Sequence, residues 1–133
     1  MTTDNLQERY MEYQMLFQQM QQLKENSSAL EKHILSLNDL KDNLNNIPSI
    51  KTGTESLMAI GNGLFLKSEL KDNENVIMNV GSGVCVEKSI QDAINTIDKQ
   101  LIDVKNILEE INLEINDTTE RIYQLQEELQ KSQ

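Results

Sequence analysis

Two glycine phrases, one histidine, one cysteine and 22 carboxylates are what this chain offers to chemistry. The phrases are Ile60-Gly61-Asn62-Gly63 and Val80-Gly81-Ser82-Gly83, twenty residues apart. A glycine loop can cradle phosphate, but a dinucleotide loop needs G-x-G-x-x-G between strand and helix, and a P-loop needs G-x-x-x-x-G-K-[ST]. Neither pattern is present. Each phrase runs on into β-type residues, Leu64-Phe65-Leu66-Lys67 and Val84-Cys85-Val86-Glu87. The glycines therefore read as bulges or tight bends between strands.

His33 has no second His or Cys with which to share a metal, and no nucleophile near it, so it reads as a surface histidine. Cys85 cannot by itself form an internal disulfide or a thiolate metal site. It fits a reducing compartment and reads as a small apolar residue packed in the β core. The acids fall on solvent faces with no pocket to shift their pKa values. No catalytic, cofactor-binding or metal-ligating residue is assigned, and no enzyme is expected.

The elements around these residues follow from composition and period. The 133 residues suit one domain, but aromatics are only 4% and Trp is absent. Such a bias favours long helices over a thick core. Net charge is −10, most of it in residues 89–133, so a phosphate backbone would be repelled and nucleic acid is not an expected partner. The start lacks the basic and apolar regions of a signal peptide. No apolar run approaches the ~20 residues that span a bilayer. The expectation is a soluble, cytoplasmic chain with no membrane partner.

Residues 3–47 carry an apolar stripe: Leu6, Tyr10, Tyr13, Phe17, Met20, Leu23, Ser27, Leu30, Ile34, Leu37, Leu40, Leu44 and Ile47, with Ser27 the one polar member. Its period is below 3.6, the mark of a left-handed coiled-coil seam, with doubled three-residue steps near Met20 and Leu37 that overwind it. Pro48 ends the helix. Residues 89–131 carry a second stripe, Ile90, Ile94, Ile97, Leu101, Val104, Leu108, Ile111, Ile115, Thr118, Ile122, Leu125 and Leu129, alternating steps of four and three without a break. Ser89 is placed to cap this helix, with Asp92 three residues on.

Between the helices, residues 49–88 hold four short strands, as two hairpins or a meander. Leu64, Leu66 and Leu70 should share one face, with Lys67 and Glu69 on the other. Met58, Phe65 and Ile77, placed opposite the Leu64 set, imply burial on both sides. Lys71 to Asn75 reads as a turn. Some 40 residues of β structure cannot bury enough surface to stand alone, and short strands leave open edges. The helices look too wet to cover them, so the strands should complete a sheet or barrel with other subunits.

The class expected is α+β, mainly α: a long antiparallel coiled-coil hairpin with a central four-stranded β segment at one end. Two separate intermolecular coiled coils are the alternative. In the paired form the chain ends share a tip some 60 Å from the strands by helix rise. Leu6, Tyr10, Met11, Tyr13, Met15, Leu16 and Phe17 gather there with Ile122, Tyr123, Leu125 and Leu129. A two-helix seam hides one stripe, so some of this apolar surface stays wet, as at a binding site or a frayed end.

Helix, then Glu55 to Lys67 with Gly61-Asn62-Gly63, then Asn75 to Lys88 with Gly81-Ser82-Gly83, then helix, resembles the α-type subunit of prefoldin, archaeal in its short length. The doubled hairpin carries the α-type likeness. Asn62 and Ser82 stand where the family often has Ala. The resemblance implies a single domain, 1–133, in a complex of two α-type with four β-type subunits. It implies assembly through Leu57, Ile60, Gly61, Gly63, Leu64, Leu66, Val76, Met78, Val80, Gly81, Gly83, Val84 and Val86. It also implies a chaperone without cofactor or ATP, whose tips hold non-native polypeptides and pass them to a group II chaperonin. The tip residues named above would be client contacts. The competing reading is a structural coiled-coil adaptor for one folded partner, which leaves the doubled hairpin without a reason.

Overall fold

The computed structural model describes residues 3–131. Helix α1 spans Thr3–Asn46, and a single 3₁₀ turn, Ile47–Ser49, carries Pro48 where its missing N–H costs nothing. Four strands follow: β1 (Glu55–Gly61), β2 (Leu64–Glu69), β3 (Asn75–Gly81) and β4 (Val84–Ser89). Helix α2 spans Ile90–Lys131. Its first turn is capped as the sequence predicts: the Asp92 N–H donates to Ser89 Oγ at 3.1 Å.

The strands form two separate two-stranded antiparallel sheets, β1–β2 and β3–β4, rather than a meander. Each hairpin turns through two residues of positive φ, Asn62 (48°) with Gly63 (79°), and Ser82 (51°) with Gly83 (75°). That backbone twist matches the strands it joins. Before each turn lies a bulge: the register passes from Ala59↔Phe65 to Gly61↔Leu64, and from Asn79↔Cys85 to Gly81↔Val84. The extra residue shifts every pair below it by one. Met58 therefore pairs with Leu66 and shares its face, where alternation alone had set it opposite. Leu57, Lys67 and Phe65 occupy the other face with Ala59.

Contacts divide the chain into a terminal unit, residues 3–35 with 102–131, and a central unit, 36–101. In the terminal unit the helix segments run antiparallel. From Arg9 with Glu128 to Ser27 with Asn112 the number falls on one helix as it rises on the other, and Glu12 with Arg121 and Tyr13 with Gln126 lie between. Its seam buries Met20, Leu23, Ile122, Leu125 and Leu129, together with the two polar stripe members, Ser27 and Thr118. Ser27 Oγ donates to Asn112 Oδ1 at 3.4 Å. The 4–3 stripes named these seam positions correctly, but Tyr10 and Phe17 lie exposed at the seam's edge.

In the central unit Leu37, Leu44, Ile90, Ala93, Ile94, Ile97 and Leu101 are buried, and Lys41 Nζ lies 2.7 Å from Asp98 Oδ1. Ala93 is fully buried although it falls outside the heptad stripe. The reason is the second hairpin. Val76, Met78 and Val86 are half-buried, and a space of about 380 Å³ is lined by Leu40, Leu44, Val76, Ile77, Met78, Asn79, Ala93 and Ile97. The helices thus do cover part of the β segment, contrary to the expectation from their wet composition. A short side chain at 93 lets β3 approach. The first hairpin has no such cover, and its apolar residues are exposed almost throughout.

Candidate functional site

Two apolar surfaces remain open, one in each unit. The terminal unit exposes Tyr10, Met11, Met15, Phe17 and Tyr123, with Met15 at 69% and Tyr123 at 63%. Tyr13 and Phe17 rings stack tilted at 41°, centroids 5.5 Å apart, and Gln126 Nε2 donates to the Tyr13 hydroxyl at 3.0 Å. These contacts hold the aromatic edge in place. Beside it lies a groove of about 490 Å³, lined by Phe17, Met20, Gln21, Lys24, Thr119, Ile122, Tyr123 and Gln126. A shallower space is lined by Tyr10, Tyr13, Gln126, Leu129 and Gln130. The surface is apolar with an amide rim, suited to adaptable contact.

The eleven residues expected at this surface separate into three sets. Ile122, Leu125 and Leu129 are buried, Leu125 completely, so they hold the seam. Leu6, Tyr13 and Leu16 are half-buried. Tyr10, Met11, Met15, Phe17 and Tyr123 are the accessible ones. The sequence reading passed over Ile102, Ile107 and Leu113, which are exposed on α2 of the same unit. Their signal was available: each is apolar and off the stripe, like Met11 and Met15.

In the central unit the hairpins are held by local polar bonds and leave their apolar residues open. Asp72 Oδ1 accepts the N–H groups of Glu74 (2.8 Å) and Asn75 (3.1 Å), and Oδ2 accepts Asn75 Nδ2 at 3.2 Å. These bonds hold the Asp72 carboxyl below its ordinary range, the Glu74 N–H contributing most. Asn73 Nδ2 donates to the Ile50 carbonyl at 2.9 Å, tying this connection to the residues that enter β1. Leu57, Met58, Ile60, Leu64, Phe65, Leu66, Val80 and Val84 are exposed, whereas Val76, Met78 and Val86 are half-buried. Cys85 is exposed too in the single chain. It pairs with Asn79 on the face of β3–β4 that turns away from Met78 and Val86, the face that a core shared with other subunits would have to cover.

Among the described residues no group of three or more His, Cys, Asp or Glu could hold a metal ion, and no helix is long and apolar enough to cross a membrane. The arrangement can bind; what it presents is apolar surface and strand edges.

A family model for prefoldin subunits matches residues 16–133. The chain belongs to the prefoldin family. Its relatives include archaeal prefoldin α subunits: one from Methanococcus aeolicus is 30% identical over 96% of this chain and 87% of its own. One from Pyrococcus horikoshii is 38% identical over 68% of this chain and 62% of its own. The fold resembles that of filamentous PFD from Methanocaldococcus jannaschii, with a TM-score of 0.76, 16% identity, and coverage of 84% of this chain and 93% of that one. A prefoldin subunit of the α type thus has its two helices joined by two hairpins, and the glycine phrases are the hairpin turns.

Proposed function

We propose that this prefoldin subunit is part of an ATP-independent, cytoplasmic chaperone that holds non-native polypeptides and delivers them to a group II chaperonin. Its hairpins join it to β-type subunits, two α with four β, the whole chain serving as one assembly domain. The observation that carries the reading is the accessible apolar surface of the terminal unit, Met11, Met15, Phe17 and Tyr123, set on a seam that does not need these side chains for its own burial. Exposed apolar area of this kind is costly in solution unless it meets a partner.

The test is aggregation of a denatured protein, without nucleotide, in the presence of this chain and a β-type subunit. Suppression is expected. Serine at Met11, Met15, Phe17 and Tyr123 together should weaken holding and leave assembly intact. Holding that is unchanged by those substitutions overturns the surface assignment. A saturable complex with one folded protein and no effect on aggregation would favour the adaptor instead.

A further inference from the structure

The outer face of α2 in the terminal unit carries a surface that the seam does not use. Leu113 and Tyr123 stand open there at 60% and 63%, about 15 Å apart along the helix by its rise. Carboxylates flank both at helical spacing. Glu109 and Glu110 lie four and three residues before Leu113, and Asp117 lies four after it. Glu120 lies three residues before Tyr123, and Glu127 four after it. Residues at these spacings share a face with the one they flank. All five acids are exposed, and they are in none of the ion pairs formed by the described residues. The one cation in the stretch 106–127, Arg121, is held by Glu12. The unit as a whole has 13 acidic and 6 basic residues, so the field beyond the strip is negative too. The groove beside Phe17 differs, because Lys24 stands on its rim. Tyr123 borders that groove as well, so a chain seated in it has a continuous way onto the strip.

Apolar side chains among unpaired carboxylates select their partner. Nucleic acid and anionic lipid are repelled, and the same strip on a second copy would set acid against acid. A Lys or Arg side chain suits both parts: its apolar stem covers Leu113 or Tyr123 while its head reaches the carboxylates. Arg gains further from the face of the Tyr123 ring. An extended segment covers the span from Leu113 to Tyr123 in about five residues. We infer that this strip docks non-native polypeptide segments that carry Lys and Arg beside apolar residues, which gives the chain a charge preference among its clients. The inference rests on the holding activity proposed above and names the class of client it favours.

The experiment measures binding of two unstructured fluorescent peptides to the chain assembled with a β-type subunit. The peptides share their apolar residues and spacing, and differ in carrying Lys and Arg or Glu and Asp. The basic peptide should bind about tenfold more tightly in ~0.1 M salt, and the gap should close near about 1 M. The variant E109Q/E110Q/D117N/E120Q/E127Q should close most of the gap at the lower salt, and L113S should weaken the basic peptide. A control variant, D4N/E25Q/E31Q/D39N/D42N, removes the same charge from α1 and should keep the gap. Helical circular dichroism shows that each variant folds. A control that closes the gap equally overturns the inference, because net charge alone would then decide. So does a gap that the α2 variant leaves unchanged, or an L113S variant that binds the basic peptide as tightly as the wild type. Folded lysozyme bound as tightly as the basic peptide overturns it too, since the strip would then be a patch for any basic protein. If the two peptides bind alike while denatured protein is still kept from aggregating, the charge preference falls and the holding activity stands. If neither peptide binds and aggregation is not suppressed, both fall.

Discussion

Arg121 grips Glu12 with two prongs, Nε to Oε1 at 3.0 Å and Nη2 to Oε2 at 3.2 Å, across the seam of the terminal unit. The hydrogen bond to Glu12 raises the Arg121 pKa further, so this side stays charged at any working pH. Both partners are largely in water, which limits what the pair contributes. R121K keeps the charge but loses the fork. The expected result is a small fall in the stability of this unit, seen by helical circular dichroism on heating. The difference between wild type and R121K should largely persist in about 1 M salt, because both side chains carry the charge that salt screens and only the fork is lost. A difference that vanishes there would mean that the two side chains differ in charge interaction rather than in hydrogen-bond geometry.

Leu125 and Tyr123 are two residues apart on α2 and face opposite fates, one fully buried and the other 63% exposed. Leu125→Ala should cost about 2–5 kcal/mol through the cavity it leaves. Tyr123→Ser should change stability by only about 0.5 kcal/mol and reduce suppression of aggregation. Urea unfolding of each variant beside the aggregation assay separates seam from surface.

Gly83 stands at φ 75° with nothing within 4 Å of where a Cβ would be. Its role is conformational rather than steric. Gly83→Ala should cost about 1–2 kcal/mol, the strain of a side chain in left-handed backbone. Ser82, at φ 51°, already bears some of that strain, and Ser82→Asn should relieve part of it because Asn tolerates this region. The yield of assembled complex at fixed subunit concentration is the measurement, with G83A below wild type and S82N at or above it.

Asp72 organises the link between the hairpins through its bonds to Glu74 and Asn75. Its pKa is lowered in the folded chain. Stability from this group is therefore present above the unfolded carboxyl value, about 3.9, and is lost as pH falls through the lower folded value. Hydrogen exchange at the Glu74 and Asn75 amides should quicken in D72A at neutral pH. In the wild type, protection of these amides relative to their intrinsic exchange rate at each pH should fall only below the ordinary carboxyl value of about 3.9.

Much of this molecule is legible in the order of its residues. Stripe positions such as Leu23, Ile97 and Leu125 are buried as the heptad period predicts, because a seam between two helices needs only one repeated row. Ser89 as cap, Asp72 as turn residue and the glycines as bends are local effects, decided by a few neighbouring bonds. Other features depend on partners distant in sequence. The face of Met58 differs from simple alternation because a bulge at Ile60 shifts the register by one; the glycines announce a bulge or a bend, but not which residue it leaves unpaired. Ala93 is buried because β3 comes to lie over it, and Cys85 is exposed because nothing in its own chain does.

The sequence by itself determined the helices, their seams, the two glycine turns and so the family. Each of these rests on periodicity or on backbone preference within a few residues. Only the tertiary structure divided the apolar residues near the chain ends into seam and surface, and the two hairpins into one with a covered face and one without. Burial depends on which distant segment lies opposite, and a repeat that reads the same twice in sequence meets a different neighbour each time.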